Sequence, residues 1–183
     1  EKTAIFESYY LEPFTTINVK EIAIRSVAVT SVVGTFSVGE TISKGTSPND
    51  TVGTVYAVQQ GSGSTIVYIG PSTINGSGSE FTDADALTAS GGATGAVETG
   101  GVGTAVDEYI FSTDAGVTYN MFLGTDLTVF SDRVYRFDTS DSSMSGTDFK
   151  LSITVNGEWG PDNTAGTSDD GTEFTTGKTT NGT

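Results

Sequence analysis

The stretch Phe36-Ser37-Val38-Gly39-Glu40-Thr41-Ile42-Ser43 decides how this chain is interpreted, because it recurs in degenerate form as Phe81-Thr82-Asp83-Ala84-Asp85-Ala86-Leu87-Thr88. Each copy is followed by a turn of small residues and a short strand-like segment, Val52-Gly53-Thr54-Val55 or Thr94-Gly95-Ala96-Val97. A short repeat rich in strand-forming residues is typical of a structural building block. We interpret each copy as a small β-module whose Phe, Ile or Leu, and Val side chains point inward.

Strand patterns precede, separate and follow the two copies. Apolar residues alternate from Ile17 to Val29, with phase slips after Val19 and after Ile24. This pattern predicts a strand with one buried face that is bulged or broken in two. Residues 65–69 predict a further strand between the copies, and residues 90–104, nearly all Gly, Ala, Thr and Val, predict a loose linker.

The last third of the chain shows closely spaced strand candidates, at 109–111, 117–123, 127–130 and 134–137. The alternating segment 149–155 runs into Asn156-Gly157, a strong hairpin signal. We find no convincing helix longer than two turns.

The predicted fold class is therefore all-β: small β-modules followed by an antiparallel β-sandwich-like domain. We divide the chain into an N-terminal aromatic arm with strands (1–33), two repeat modules with a Gly-rich linker (34–104) and a sandwich-like domain (105–183).

Composition excludes several function classes. The net charge is −15, from 23 acidic and 8 basic residues, so nucleic acid and anionic membranes are expected to be repelled. The chain has no Cys and no His, which argues against zinc, copper and haem sites and against His-dependent nucleophiles. No apolar run is long enough to span a bilayer, and no signal peptide is recognisable. We expect no enzymatic activity and no catalytic residues.

The best candidate metal site is a weak calcium site on an acidic, Gly-rich loop, since Ca²⁺ prefers several oxygen ligands. Its candidate ligands are Asp162, Asn163, Asp169, Asp170 and Glu173. The EF-hand pattern is not met, and a solvated loop held by Asx-turns is the simpler interpretation. No other cofactor is expected.

Other acidic residues have structural interpretations beside chemical ones. Asp138, Asp141 and Asp148 bracket a Ser-rich turn and are a second candidate cation site, although turn formation alone explains them. Glu40 and Asp85 occupy the same place in the two copies of the repeat, where we expect each to cap a turn.

The chain opens with an aromatic cluster formed by Phe6, Tyr9, Tyr10 and Phe14. Two interpretations stay open for it. The cluster either folds back as core, or forms an arm that buries its aromatic rings on a neighbouring subunit.

Two stretches of the sequence resemble virion proteins of tailed phages, especially marine and cyanobacterial phages. The first is the repeat, with the pattern Gly-x-Phe-x-x-Gly-Glu-x-Ile at 34–42 and the close Gly-Ala-Thr-Gly-x-Val at 92–97. The second runs from Val134 to Ser143 and continues through 149–152 and 172–177. It is similar to a β-sandwich module of cupredoxin-like character found in phage structural proteins.

The resemblance implies a non-enzymatic component of the capsid exterior, neck, tail or fibre. It also implies a homo-oligomer located in the virion, whose partners are other virion proteins, itself and, as a further candidate, a host-surface receptor. The chain departs from the family pattern by having Thr147-Asp148 where His-Pro is common, and by stopping before a final strand pair with Cys and His. No metal or redox role therefore follows, and we expect the chain to be a fragment that is truncated at its C-terminus.

Two other functions are candidates beside that of a virion component. The alternative is a calcium- or glycan-binding adhesion or matrix module at the cell surface. A carbohydrate-active enzyme is the third, because paired carboxylates are abundant although no pair stands out.

Overall fold

The computed structural model describes residues 14–61, 63–123, 127–155, 157–162 and 164–179. The described residues form strands, loops and two short 3-10 turns, Ser142–Met144 and Gly157–Trp159. This confirms the predicted all-β, sandwich-like class. None of the described residues belongs to a helix long and apolar enough to cross a membrane.

Nine strands join into one sheet within the described part of the chain. They are β1 (Thr15–Val33), β2 (Thr41–Thr46), β3 (Asn49–Gln60), β4 (Thr65–Ile69), β5 (Thr73–Ile74), β6 (Ala86–Ala89), β7 (Thr94–Val102), β8 (Val106–Ser112) and β9 (Tyr135–Asp138).

Six of these strands close on themselves. Following the hydrogen-bonded neighbours gives β2, β6, β7, β1, β4, β3 and then β2 again, and every pair in this ring is antiparallel. Closure gives each of the six strands a hydrogen-bonded neighbour on both sides, so the ring has no edge strand. The facing walls enclose the main core, as in a sandwich.

The core inside the closed sheet is built by the residues that alternate inward. The repeat supplies four of its largest side chains, Phe36, Ile42, Phe81 and Leu87, each at most 3% exposed. Its other buried members are Val27, Val29, Val55, Val67, Ile69, Ala89, Ala93 and Val97. The predicted inward positions of the repeat are therefore confirmed.

Strand registers show that the two halves of the closed sheet are related by an internal two-fold relationship. Ile42 of β2 pairs with Gly53 of β3, as Leu87 of β6 pairs with Gly95 of β7. At two places a residue pairs with its own equivalent in the other half, as a two-fold relationship requires. These pairs are Val27 with Val67 and Ser43 with Thr88.

The halves are interlocked rather than separate modules. Strands β1, β2 and β3 form one half and β4, β6 and β7 the other, yet β1 pairs with β7 and β4 with β3. The interpretation of the copies as individual small modules therefore needs correction: each copy closes its sheet with strands of the other half.

The long strand β1 belongs to two parts of the sheet. Residues Asn18–Ile24 pair antiparallel with β8, Thr15–Asn18 pair parallel with β9, and Arg25–Val33 join the closed sheet. The second phase slip in the sequence, after Ile24, marks this change of partners. The strand is continuous through both slips, so the predicted break does not occur.

Several predicted elements are wrong. The predicted linker 90–104 contains β7, because small residues suit a strand packed closely on both sides. Segment 117–123 is not a strand and has one bridge, between Asn120 and Phe111. Segment 127–130 is also not a strand.

Segment 149–155 forms no strand either, and the 3-10 turn Gly157–Trp159 stands where a hairpin was predicted. Its apolar residues Ile153 and Val155 are 85% and 70% exposed. Alternation selects a face for each side chain, but a strand also needs a backbone partner. The backbone contacts described for this segment with residues distant in sequence are isolated: a bridge between Ser152 and Glu173, and a hydrogen bond from the Phe174 amide to the Leu151 carbonyl at 2.7 Å.

Contacts divide the chain into two compact units, and the boundary falls between Ser145 and Gly146. All described strands lie in the first unit, and the second is built from turns and loops. The predicted boundaries after residues 33 and 104 both fall inside the first unit. The division into 1–33, 34–104 and 105–183 stays a prediction.

Candidate functional site

Of the predicted assembly residues, Phe6, Tyr9 and Tyr10 lie outside the described residues. Phe14 is described, and it immediately precedes β1 with 44% of its surface exposed. The guanidinium carbon of Arg136, on β9, lies 4.7 Å from the centre of the Phe14 ring. Arg136 also donates from Nη2 to the Thr16 hydroxyl at 3.1 Å, which anchors it beside the start of β1.

The segment before β9 presents further exposed apolar side chains beside Phe14. The Thr15 amide donates to the carbonyl of Val134 at 3.0 Å, which ties this segment to the start of β1. A turn closes where the Arg133 amide donates to the Phe130 carbonyl, and the Arg133 guanidinium lies 5.1 Å from the Phe130 ring centre. The Phe130 amide donates to the Tyr135 hydroxyl at 3.0 Å.

We call this surface the phenylalanine–arginine patch. It comprises Phe14, Val129, Phe130, Arg133, Val134 and Arg136, all of which are exposed. Cation–π stacking, one hydrogen-bonded turn and strand pairing hold these side chains in place without covering them. Sequence reasoning selected Phe14 and missed the others, because 127–130 was predicted to be a strand. The sequence does contain a signal for this surface, because Phe130, Arg133 and Arg136 lie within seven residues in a chain with few basic residues.

Charge pairing separates Arg133 from the other basic residues. Six described basic side chains lie within 4.0 Å of a carboxylate: Lys20, Arg25, Lys44, Arg136, Lys150 and Lys178. Arg133 is the one basic residue of the described ranges that forms no ion pair. Its exposed guanidinium is stacked on the Phe130 ring and has no carboxylate partner among the residues that the structure describes.

The predicted calcium loop is held together by its own hydrogen bonds. The Asp170 carboxylate accepts from the Gly166 and Thr167 amides at 2.5 and 3.1 Å, and Asp169 accepts from the Thr167 hydroxyl at 2.6 Å. The hydrogen bond from Thr167 lowers the pKa of Asp169. Asp162 accepts from the Thr164 amide at 2.9 Å.

Glu173 is the remaining calcium candidate that the structure describes. Glu173 is ion-paired with Lys178, and Asn163 lies outside the described residues. Across the ranges that the structure describes, no three His, Cys, Asp or Glu residues are grouped as metal ligands would be. Calcium binding stays a prediction.

The Ser-rich turn also uses its acidic residues locally. Asp141 accepts from the Ser143 amide at 3.0 Å and lies 3.1 Å from Lys20 Nζ, and Asp138 accepts from the Ser140 amide at 3.1 Å. The hydrogen bonds from these serines lower the pKa of both carboxyl groups. Asp148, on the second unit, lies 2.7 Å from Lys150.

The predicted turn-capping roles of Glu40 and Asp85 are confirmed. Glu40 Oε2 accepts from the Ser37 amide at 3.2 Å, and Asp85 Oδ2 accepts from the Thr82 amide at 2.6 Å. Asp85 has a second role, because it also lies 2.6 Å from the Nζ atom of Lys44.

Sequence reasoning missed Lys44, a charged residue only 9% exposed that lies beside a crevice of about 320 Å³. Its ammonium donates to Asp85, to the Ser79 hydroxyl and to the Glu80 carbonyl. The available signal was its position two residues after the inward Ile42. With its three donors used, we assign Lys44 a structural role.

The most distinctive exposed surface of the first unit is thus the phenylalanine–arginine patch. Comparison with protein-family models, with curated proteins and with solved structures finds no match to this chain.

Proposed function

We propose that this protein is a non-enzymatic structural component of a tailed-phage virion and acts by assembly with copies of itself and with other virion proteins. The observation that carries the proposal is the phenylalanine–arginine patch. The virion setting follows from the resemblance of the repeat and of 134–143 to phage structural proteins.

The composition of the patch favours a protein–protein contact. Phenylalanine and arginine are over-represented at interfaces, and arginine is frequent among the residues that carry most of the binding energy. Phe14, Phe130 and Val134 are each between 44% and 54% exposed, so each gains apolar burial when a partner covers it. Because stacking already orders Arg133 and Arg136, association costs less side-chain entropy there.

The closed sheet suits a repeated structural subunit of a particle. Its interior is filled by side chains from both copies of the repeat, and its six strands leave no unpaired edge in the ring. A body of this kind presents loops and patches without changing its own shape, as a repeated unit of a particle must.

Two measurements test the proposal. Sedimentation velocity of the full chain over increasing concentration should show reversible association, and substitution of Phe14 and Phe130 by Ala should weaken it without changing the circular dichroism spectrum. Quantitative mass spectrometry of purified particles should find this chain in many copies. A chain that stays monomeric and is absent from particles contradicts the proposal.

The alternative, a calcium- or glycan-binding adhesion module, draws on one observation. The carboxylates of Asp162, Asp169 and Asp170 all lie within 3.5 Å of the Thr167 hydroxyl oxygen. If calcium binds there, millimolar Ca²⁺ should raise the midpoint of thermal unfolding and a chelator should reverse the change. An unchanged midpoint argues against this alternative.

A further inference from the structure

This inference rests on the proposed assembly function and concerns the contact between two copies. We propose that the chain associates head to tail, with the phenylalanine–arginine patch of one copy seated on the start of β8 in the next. We call this second surface the acidic end and define it as Val106, Asp107 and Glu108.

The acidic end complements the patch in charge and in polarity. All three of its residues are exposed, and Val106 is 58% exposed between the carboxylates and the preceding loop. Alternation along β8 puts Val106 and Glu108 on one face and Asp107 on the other, so the end of the strand presents a carboxylate on each face. A partner that covers this end meets negative charge beside an apolar side chain, which suits a phenylalanine beside Arg133. Such complementarity gives an interface its orientation and register.

The two surfaces lie at opposite ends of the same stretch of β1. The patch adjoins Thr15, whereas Val106 pairs with Ile24. Ile24 lies nine positions after Thr15, which corresponds to about 30 Å along an extended strand. Within one copy the two surfaces are therefore too far apart to meet, so each needs a neighbouring copy.

A contact between two different surfaces of identical subunits is heterologous. It closes into a ring or continues as an open fibre, depending on the rotation between neighbours. Both are arrangements of repeated subunits in which every copy uses its patch and its acidic end, except at the tips of an open fibre.

Arginine at position 133 makes the contact testable by charge reversal. Arg133→Glu should weaken self-association at least about tenfold, since a like charge then faces the acidic end. Asp107→Arg should do the same from the other side. Asp83→Arg is the matched control, because Asp83 is exposed on a turn of the second repeat copy, belongs to neither surface, and undergoes the same charge change as Asp107→Arg.

The decisive measurement is sedimentation of a mixture. Arg133→Glu and Asp107→Arg chains should each stay largely monomeric alone and should associate when mixed in equal amounts, because each patch then finds a complementary end. Circular dichroism spectra like that of the unsubstituted chain would show that the variants fold.

The possible results separate this inference from the proposed function. If the unsubstituted chain associates but neither reversal weakens it, or if mixing restores nothing, the head-to-tail contact is wrong while assembly stands. If the unsubstituted chain remains monomeric up to about 1 mM, both the contact and self-assembly are overturned.

Discussion

The Nζ atom of Lys44 lies 2.6 Å from Oδ2 of Asp85 and joins the two copies of the repeat inside a crevice of the first unit. Lys44 belongs to β2 of the first copy, and Asp85 closes the turn before β6 of the second. The two-fold relationship breaks here, because Ala89 occupies the position equivalent to Lys44. The Glu40 carboxylate, equivalent to that of Asp85, lies instead over Gly91.

Removing the Asp85 carboxylate should lower the free energy of unfolding more than removing the carboxylate of Glu40, its equivalent in the first copy. Asp85→Asn leaves the Lys44 ammonium without its carboxylate, so we expect a loss of about 3 kcal/mol in the free energy of unfolding. Glu40→Gln is the matched control, with an expected loss below about 1 kcal/mol, because it weakens only a capping bond. Urea denaturation followed by circular dichroism measures both.

Replacing both partners of the pair should recover much of that loss. In Lys44→Met combined with Asp85→Asn no buried charge is left unpaired, and an apolar chain of similar length replaces lysine. A double substitution as unstable as Asp85→Asn alone would contradict the assigned role of the ion pair.

Acid should destabilise the protein through Asp114. Hydrogen bonds from the Ser112 hydroxyl and from the Thr118 and Val117 amides lower the pKa of Asp114 from 3.8 to about 2. A pKa depressed by folding contributes stability that is fully present above the unfolded value and is lost as the pH falls towards the folded one. The temperature at the midpoint of thermal unfolding should therefore decrease as the pH is lowered from about 4 to about 2.

Asp114→Asn should reduce the part of this pH dependence that Asp114 causes. Thermal unfolding by circular dichroism at several pH values measures it. Asp83→Asn is the control, because Asp83 forms no hydrogen bond or ion pair with the described residues and its substitution should leave the profile unchanged. Identical profiles for Asp114→Asn and the unsubstituted chain would contradict a stabilising role of the hydrogen bonds that the Asp114 carboxylate accepts.

Two equivalent glycines should differ sharply in their tolerance of alanine. A Cβ atom on Gly95 would lie 2.4 Å from Cγ1 of Val29, a stiff and fully buried side chain, whereas one on Gly53 would meet Ile69 at 3.4 Å. Gly95→Ala should therefore cost about 1–3 kcal/mol through overpacking, and Gly53→Ala should cost less. Thermal unfolding of the two variants measures the difference, and equal costs would contradict the packing described for β7.

Closure of the sheet should make the two copies unfold together. Phe36 and Phe81 are 2% and 3% exposed in one core, so replacing either by Ala should cost about 3–5 kcal/mol. Hydrogen exchange should speed up in β2, β3, β6 and β7 alike for both variants, because the strands share one cooperative unit. Faster exchange confined to the substituted copy would indicate independent modules.

The sequence alone was sufficient for the local features of the fold. Phe36, Ile42, Phe81 and Leu87 were predicted to point inward because period-two alternation and large apolar side chains identify a buried face. Glu40 and Asp85 were predicted to cap turns because an acidic residue recurs at the same place in both copies. The face to which a side chain points and the cap of a turn both depend on residues close together in the chain, so the sequence pattern shows them directly.

The pairing of strands was decided only by the tertiary structure. Alternation states which face of a strand is buried, but every backbone edge offers the same N–H and C=O groups, whatever side chains the strand carries. The sequence pattern therefore predicted neither the pairing of β1 with β7 nor the absence of a strand at 149–155. For the same reason, the surface formed by Phe14, Phe130 and Arg133 emerged only when β9 was placed beside the start of β1.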